Sequence, residues 1–185
     1  TGNRINRLSI ANNIFDSTLR LAPIYFQRGS ITTMSDAFIT GNYFAASESS
    51  CVVLQVDSTN LEIVGNIFNV PLATPAIAFG SNSTFRYTVI DKNIFRGQQG
   101  ISLNATSAFQ QLQIKDNDMN DPTTSGILNV PSALNVKIRG NSGYVTENGG
   151  NASISNGTTI SHGLATTPTK ILLTSQSALA RIMSV

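Results

Sequence analysis

The chain has 185 residues, with 12 Lys or Arg against 10 Asp or Glu, and its net charge of +2 without a basic cluster argues against nucleic-acid binding. No run of about 18 apolar residues occurs, so no transmembrane helix is expected, while the 41% hydrophobic content excludes a disordered chain. One Cys and one His exclude an internal disulfide and leave little for a zinc site.

A phrase centred on asparagine recurs along the chain. Six Asn residues follow one another at intervals of 29, 24, 27, 24 and 24 residues, and an isoleucine precedes each of them by three positions. Two residues after the first five Asn stands a Phe or a Met. The asparagines are Asn13, Asn42, Asn66, Asn93, Asn117 and Asn141, the isoleucines are Ile10, Ile39, Ile63, Ile90, Ile114 and Ile138, and the last column is Phe15, Phe44, Phe68, Phe95 and Met119.

Each phrase predicts two β-strands. Mostly apolar residues lie five and three positions before the Asn, with variable residues between them, which is the period-two pattern of a strand. A second strand is predicted roughly ten residues after the Asn, at 23–26, 53–56, 76–79, 101–103 and 127–130. A unit of about 24 residues with this order predicts one coil of a parallel β-solenoid, and the all-β chain has about six coils.

Stacking explains the repeated residues. Coils that lie about 4.8 Å apart place equivalent side chains in columns, so the Ile and Phe columns are predicted to fill the interior. We expect each Asn to bend the chain by taking the left-handed conformation, and the stacked amides to hydrogen-bond from coil to coil. Gly41, Gly65 and Gly140, just before three of these Asn, fit the same corner.

The phrase Ile-x-Gly-Asn-x-Phe, present at 39–44 and 63–68, resembles the repeat of right-handed parallel β-helix proteins. These form the pectate-lyase-like superfamily, which includes polysaccharide lyases, hydrolases and viral tailspikes. The resemblance covers roughly residues 5 to 143, and we assign residues 1–143 to the parallel β-helix.

Residues 144–185 have a different pattern, with the hairpin-turn dipeptides Asn148-Gly149 and Asn156-Gly157. This stretch is similar to small β modules that follow β-helices in phage tail proteins and in secreted pectate-lyase-like proteins. Since 42 residues bury little core alone, we expect the module to dock on the solenoid or to be completed by other chains, and a homotrimer is predicted. We expect the chain to be an excerpt of a longer protein or a processed product.

Candidate catalytic and metal residues are few. The resemblance implies that an enzyme of this superfamily would place carboxylates, calcium ligands or a basic residue on one outer face. Asp116, Asp118 and Asp121 cluster at one corner and form a candidate Ca²⁺ site, although solvated turn acids are the simpler interpretation. Lys115 and Arg139 occupy the same position relative to the Asn of their coils. One of them could be the base of a lyase, or the two could form an ordinary column of exposed residues. No catalytic residue and no other cofactor is assigned.

Exposed aromatic side chains are candidates for stacking on sugar rings, with burial in the core as the alternative. They are Tyr25, Tyr43 and Tyr87, together with Tyr144. Cys51 is expected to be a small buried hydrophobe. His162, in a predicted turn, is expected to have a structural or surface role.

The pattern as a whole favours a non-enzymatic viral (phage) tail-fibre or tailspike-like protein that presents a surface to glycans or a receptor, on the virion or outside the cell. One alternative is a polysaccharide lyase or glycoside hydrolase of the pectate-lyase-like superfamily. Another is a secreted or cell-surface glycan-binding repeat protein with no virus involved.

Overall fold

A computed structural model describes residues 3–16, 22–29, 33–45, 49–119, 125–131 and 135–144, and the regular elements within them are all β-strands. The predicted parallel β-solenoid is confirmed. The strands are β1 Arg4–Ala11, β2 Ile14–Asp16, β3 Ile24–Phe26, β4 Thr33–Thr40, β5 Tyr43–Ala45, β6 Val52–Leu54, β7 Asp57–Val64, β8 Ile67–Phe79, β9 Thr84–Asp91, β10 Ile94–Ser102, β11 Ala108–Lys115, β12 Ser125–Leu128 and β13 Val136–Arg139.

Two parallel sheets run along the axis of the solenoid. The first has six strands in the order β1-β4-β7-β9-β11-β13, and the second has seven, in the order β12-β10-β8-β5-β2 with β3 and β6 beside this path. Each turn of the chain adds one strand to the first sheet and one or two segments to the second. We call each turn a rung and number the rungs 1 to 6 by their asparagines, from Asn13 to Asn141.

The interior is built from columns of identical residues. The register places the six isoleucines side by side, and Ile39, Ile63, Ile90 and Ile114 are fully buried. The rings of Phe15, Phe44, Phe68 and Phe95 stack with centroids 4.8, 4.9 and 5.1 Å apart, and Met119 continues the buried column. Apolar burial along these columns supplies the main driving force for folding.

The asparagines form a hydrogen-bonded column just inside the corner that joins the two sheets. The Nδ2 of Asn66 donates to the carbonyl of Ile39 in the preceding rung at 2.8 Å and to Oδ1 of Asn93 in the next rung at 2.9 Å. Its own Oδ1 accepts the backbone N–H and the side-chain amide of Asn42. Each buried amide therefore binds three rungs together and leaves few polar groups unsatisfied.

The expectation that the Asn itself takes the left-handed conformation is wrong. The positive φ lies one residue earlier in every rung, from 52° to 65°. Here the chain turns so that the next residue, the Asn, points inward, and glycine suits this position because it has no Cβ. The residues of this column are Asn12, Gly41, Gly65, Lys92, Asp116 and Gly140.

A second left-handed position bends the first-sheet strands themselves. It lies six residues before the Asn in rungs 1 to 5, with φ from 52° to 62°, and the strand register skips it. We call these residues the outer corner: Arg7, Asp36, Asn60, Tyr87 and Gln111. No residue type is shared among them, so the repeat gave no sign of this bend.

Several predictions fall on residues that lie outside the described part of the chain. These are the β module at 145–185, the trimer contacts assigned to it, His162 and Asp121. Among the described residues, no helix is long and apolar enough to cross a membrane.

Candidate functional site

Ligand binding to this solenoid has to use the outer surface, because the described interior is filled by the Ile, Phe and Asn columns. Outward positions alternate with the buried ones along each strand. The outward side chains therefore also form columns along the solenoid. In each column a residue lies about 4.8 Å from the equivalent residues on the two neighbouring rungs.

The three candidate tyrosines occupy three different columns. Tyr25 in β3 is 45% exposed, and its hydroxyl donates to Oε1 of Gln55 at 3.0 Å. Tyr43 in β5 is half-buried and pairs in register with Ile14 and Ile67. Tyr87 in β9 is 53% exposed and belongs to the outer corner. The structure does not bring these rings together, so they do not form one aromatic platform.

The fourth tyrosine belongs to the core. Tyr144 is 6% exposed, and desolvation by burial raises the pKa of its phenol above the ordinary value. Its ring is thus unavailable for stacking on a ligand. Cys51 is also fully buried, at the start of the segment that leads into β6.

Tyr87 stands at the centre of the outer corner with polar neighbours on both sides. Asn60 on rung 3 and Gln111 on rung 5 occupy the outer-corner position equivalent to Tyr87 on rung 4, each directly before the paired column of Leu61, Thr88 and Leu112. Asn60 is held by a hydrogen bond from its Nδ2 to Oδ1 of Asp36 at 2.8 Å. An exposed ring flanked by amide groups can stack on an apolar face and hydrogen-bond at its rim.

A carboxylate and an ammonium group face each other on rungs 4 and 5. The Nζ of Lys115 lies 3.4 Å from Oδ2 of Asp91, whose side chain is 11% exposed. The other oxygen of Asp91, Oδ1, is buried and has no hydrogen-bond partner in the structure. Arg139 pairs in register with Lys115, so the three residues form one charged column on the first sheet.

Two of the three candidate calcium ligands lie in the part of the chain that the structure describes, and their surroundings differ. Asp116 is exposed at a left-handed corner, whereas Asp118 lies two residues further, where its Oδ1 accepts a hydrogen bond from Oγ of Ser142 at 2.9 Å. Asp121 is outside the described residues. Within the described ranges, no three His, Cys, Asp or Glu side chains are placed to hold a metal ion.

Sequence reasoning missed the polar partners of the tyrosines. Gln55, Asn60 and Gln111 stand at positions where the repeat tolerates any residue, so nothing in their spacing marks them. The hydrogen bond between Gln55 and Tyr25, and the shared corner position of Asn60, Gln111 and Tyr87, depend on how the rungs stack, which only the structure gives.

The protein is a β-solenoid. Its parallel strands stack in rungs, columns of buried residues fill its interior, and its polar side chains lie on the outer face. Residues 2–143 match the family described as right-handed β-helix region, and the chain belongs to that family. The match agrees with the resemblance to the pectate-lyase-like superfamily carried by Ile-x-Gly-Asn-x-Phe. No curated protein and no solved structure is significantly similar to the chain.

Proposed function

We propose that this chain is a structural scaffold of the tail-fibre or tailspike type, which presents a glycan- or receptor-binding surface outside the cell or on a virion. The binding surface is the outer corner, with Tyr87 at its centre and Asn60 and Gln111 on either side. In this role the solenoid performs no chemistry on the ligand.

The observation that supports this proposal is the backbone conformation of Tyr87. A bulky residue with a φ of 53° is rare, because its Cβ crowds the following carbonyl at a cost of about 1–2 kcal/mol. Asn or Gly at this position would avoid much of that cost. The fold imposes this bend, since Arg7 and Gln111 share it, and at Tyr87 it holds an aromatic ring on the outer surface where Asn would be less strained.

The stacked core supports the scaffold role. The Asn column and the Phe stack both run through successive rungs, with hydrogen bonds of 2.8–3.1 Å joining the amides from one rung to the next. A core built this way fixes the spacing of the outer residues. Fixed spacing lowers the ordering cost of binding, since the surface does not rearrange.

Glycan binding by the wild-type chain and by Tyr87→Asn tests the proposal. The wild type is expected to bind at least one glycan on an array of neutral and acidic polysaccharides. Tyr87→Asn should weaken that binding at least about tenfold while stability stays the same or rises by up to about 1 kcal/mol, because Asn tolerates the left-handed region.

Tyr25→Asn is the matched control, because Tyr25 is also exposed but lies in another column. It should leave glycan binding unchanged. The proposal fails if Tyr87→Asn binds as the wild type does, or if no polysaccharide binds to the wild type at all.

A second candidate function, a polysaccharide lyase or hydrolase, is favoured by the Asp91–Lys115 pair at 3.4 Å. Such a pair can exchange a proton with a substrate. Incubation with acidic and neutral polysaccharides would then release unsaturated products or new reducing ends, and Lys115→Met would abolish the release. Binding that depends on Tyr87 without any release supports the scaffold instead.

A further inference from the structure

An apolar stripe runs along the outer face of the second sheet, one residue after each Asn. The register places its four members side by side on rungs 1 to 4. Ile14 is 77% exposed, and the other three are half-buried. On rungs 5 and 6 the same column continues with the polar residues Asp118 and Ser142. The apolar stripe is therefore Ile14, Tyr43, Ile67 and Ile94.

A column beside the apolar stripe carries opposite charges at its two ends. It lies two residues further along each rung, with Asp16 on rung 1, Ala45 and Asn69 between, and Arg96 on rung 4. Asp16 and Arg96 are both exposed, and neither forms an ion pair in the described part of the chain. This column therefore carries a negative charge at its rung 1 end and a positive charge at its rung 4 end.

We propose that the apolar stripe is the contact surface for a second copy of this chain, in an antiparallel two-fold dimer. A two-fold axis across the stripe between rungs 2 and 3 reverses the order of the rungs in the second copy. Ile14 then meets Ile94 of the partner subunit, and Tyr43 meets Ile67 of the partner subunit. Such an isologous contact uses the same patch on both copies.

Charge complementarity selects this orientation. In the reversed order, Asp16 meets Arg96 of the partner subunit, and the symmetry repeats this ion pair at the other end of the stripe. In a parallel arrangement about an axis along the solenoid, equal rungs meet, and the column two residues before the stripe faces the charged column. Arg96 would then lie opposite Lys92, which carries the same charge, and Asp16 would lie opposite the neutral Asn12.

The size of the stripe sets the expected affinity. Four rungs at about 4.8 Å extend over roughly 15–20 Å, so the described stripe covers less than the approximately 800 Å² per partner of a standard interface. The dimer should therefore dissociate on dilution in the micromolar range. The inference concerns the second sheet alone and does not rest on the glycan-binding proposal, which uses the first sheet.

Sedimentation equilibrium of the full chain, from about 1 to about 200 μM, tests the inference. The wild type is expected to pass from monomer to dimer. Asp16→Arg alone, or Arg96→Asp alone, places like charges opposite each other and should raise the dissociation constant at least about tenfold. The double variant Asp16→Arg with Arg96→Asp restores opposite pairs in the reversed order, and it should recover dimerisation to within about threefold.

A control variant, a further test variant and a folding measurement complete the experiment. Arg86→Asp changes the same charge on an exposed residue of β9, away from the stripe, and should leave the dimer intact. Ile14→Ser should weaken it, because this side chain is the most exposed of the stripe. Unchanged thermal melting shows that each variant is folded. A monomer at about 200 μM, a trimer, or a double variant no better than the single ones overturns the inference.

Discussion

Among the described residues, three buried hydroxyl groups have no hydrogen-bond partner. They are Oγ of Ser58, Oγ1 of Thr74 and Oγ1 of Thr88. Thr88 occupies the column that holds Leu61 and Leu112 on the neighbouring rungs, so its methyl group is well placed and its hydroxyl is not. A buried unpaired hydroxyl costs on the order of 1–3 kcal/mol.

Thr88→Val should stabilise the protein by about 1 kcal/mol, because valine keeps the shape of threonine and removes the unpaired oxygen. The free energy of unfolding in urea measures the effect. Thr33→Val is the control, since Thr33 is exposed at the start of β4 and its hydroxyl reaches water. A loss of stability in Thr88→Val would mean that the hydroxyl has a partner, such as a buried water molecule.

At the scale of the element, the corner before each Asn is set by backbone conformation. Three of its six residues are glycine, and the others are Asn12, Lys92 and Asp116, all with φ between 52° and 57°. A side chain at such a φ carries strain unless it is Gly, Asn or Asp. Lys92 therefore adopts this conformation because the hydrogen-bonded rungs on both sides hold it there.

Gly65→Ala isolates that strain. A Cβ added at Gly65 meets no atom within 4 Å, so the substitution causes no steric clash and leaves only the unfavourable φ of 65°. The expected loss is about 1–2 kcal/mol in the free energy of unfolding. Gly65→Asn should lose less, because Asn accepts the left-handed region. An alanine variant as stable as the wild type would show that this corner relaxes.

The strands and the interior columns were predictable, because their residues repeat at fixed distances from each Asn. Ile63 and Phe68 are buried where the repeat put them, and the second strands end close to the expected positions. The bends were not predictable in the same way. Tyr87 and Gln111 share a backbone conformation but no chemistry, so their common position is invisible in the sequence.

The candidate site was predictable only as a set of residue types. The sequence singles out tyrosines, but it does not tell which face of a rung each one occupies, because the loops between strands differ in length. A shift of one residue in register moves a side chain from the interior to the outside. Tyr144 and Tyr87 illustrate this, one buried and the other exposed at a corner.

Across the whole molecule, the rungs are not equally supported. Ile63 on rung 3 has neighbours in both adjacent rungs and is fully buried, whereas Ile10 on rung 1 pairs only with Ile39 among the described residues and is half-buried. In a stacked repeat, stability is close to a sum of rung and interface contributions. Identical residues in one column should therefore contribute different amounts to the free energy of unfolding.

Ile63→Ala should cost about 3–4 kcal/mol, within the range for fully buried isoleucine, and Ile10→Ala no more than about half of that. Urea unfolding of both variants measures the difference. The pair is its own control, because the residue type, the column and the substitution are the same. Equal losses would show that the first rung is packed as tightly as the third, contrary to the burial of these two side chains.

The one-way direction of the Asn column restricts how the molecule can change length. On rungs 2 to 5 each amide donates toward the following rung and to the Ile carbonyl of the preceding one, so these rungs offer their neighbours the same pattern of donors and acceptors. If one complete rung were lost or duplicated, the rungs brought together would still have matching amide donors and acceptors. A shorter insertion within a strand would break the amide contacts on both sides. Evolution can therefore lengthen or shorten this protein by whole rungs, in steps of about 4.8 Å.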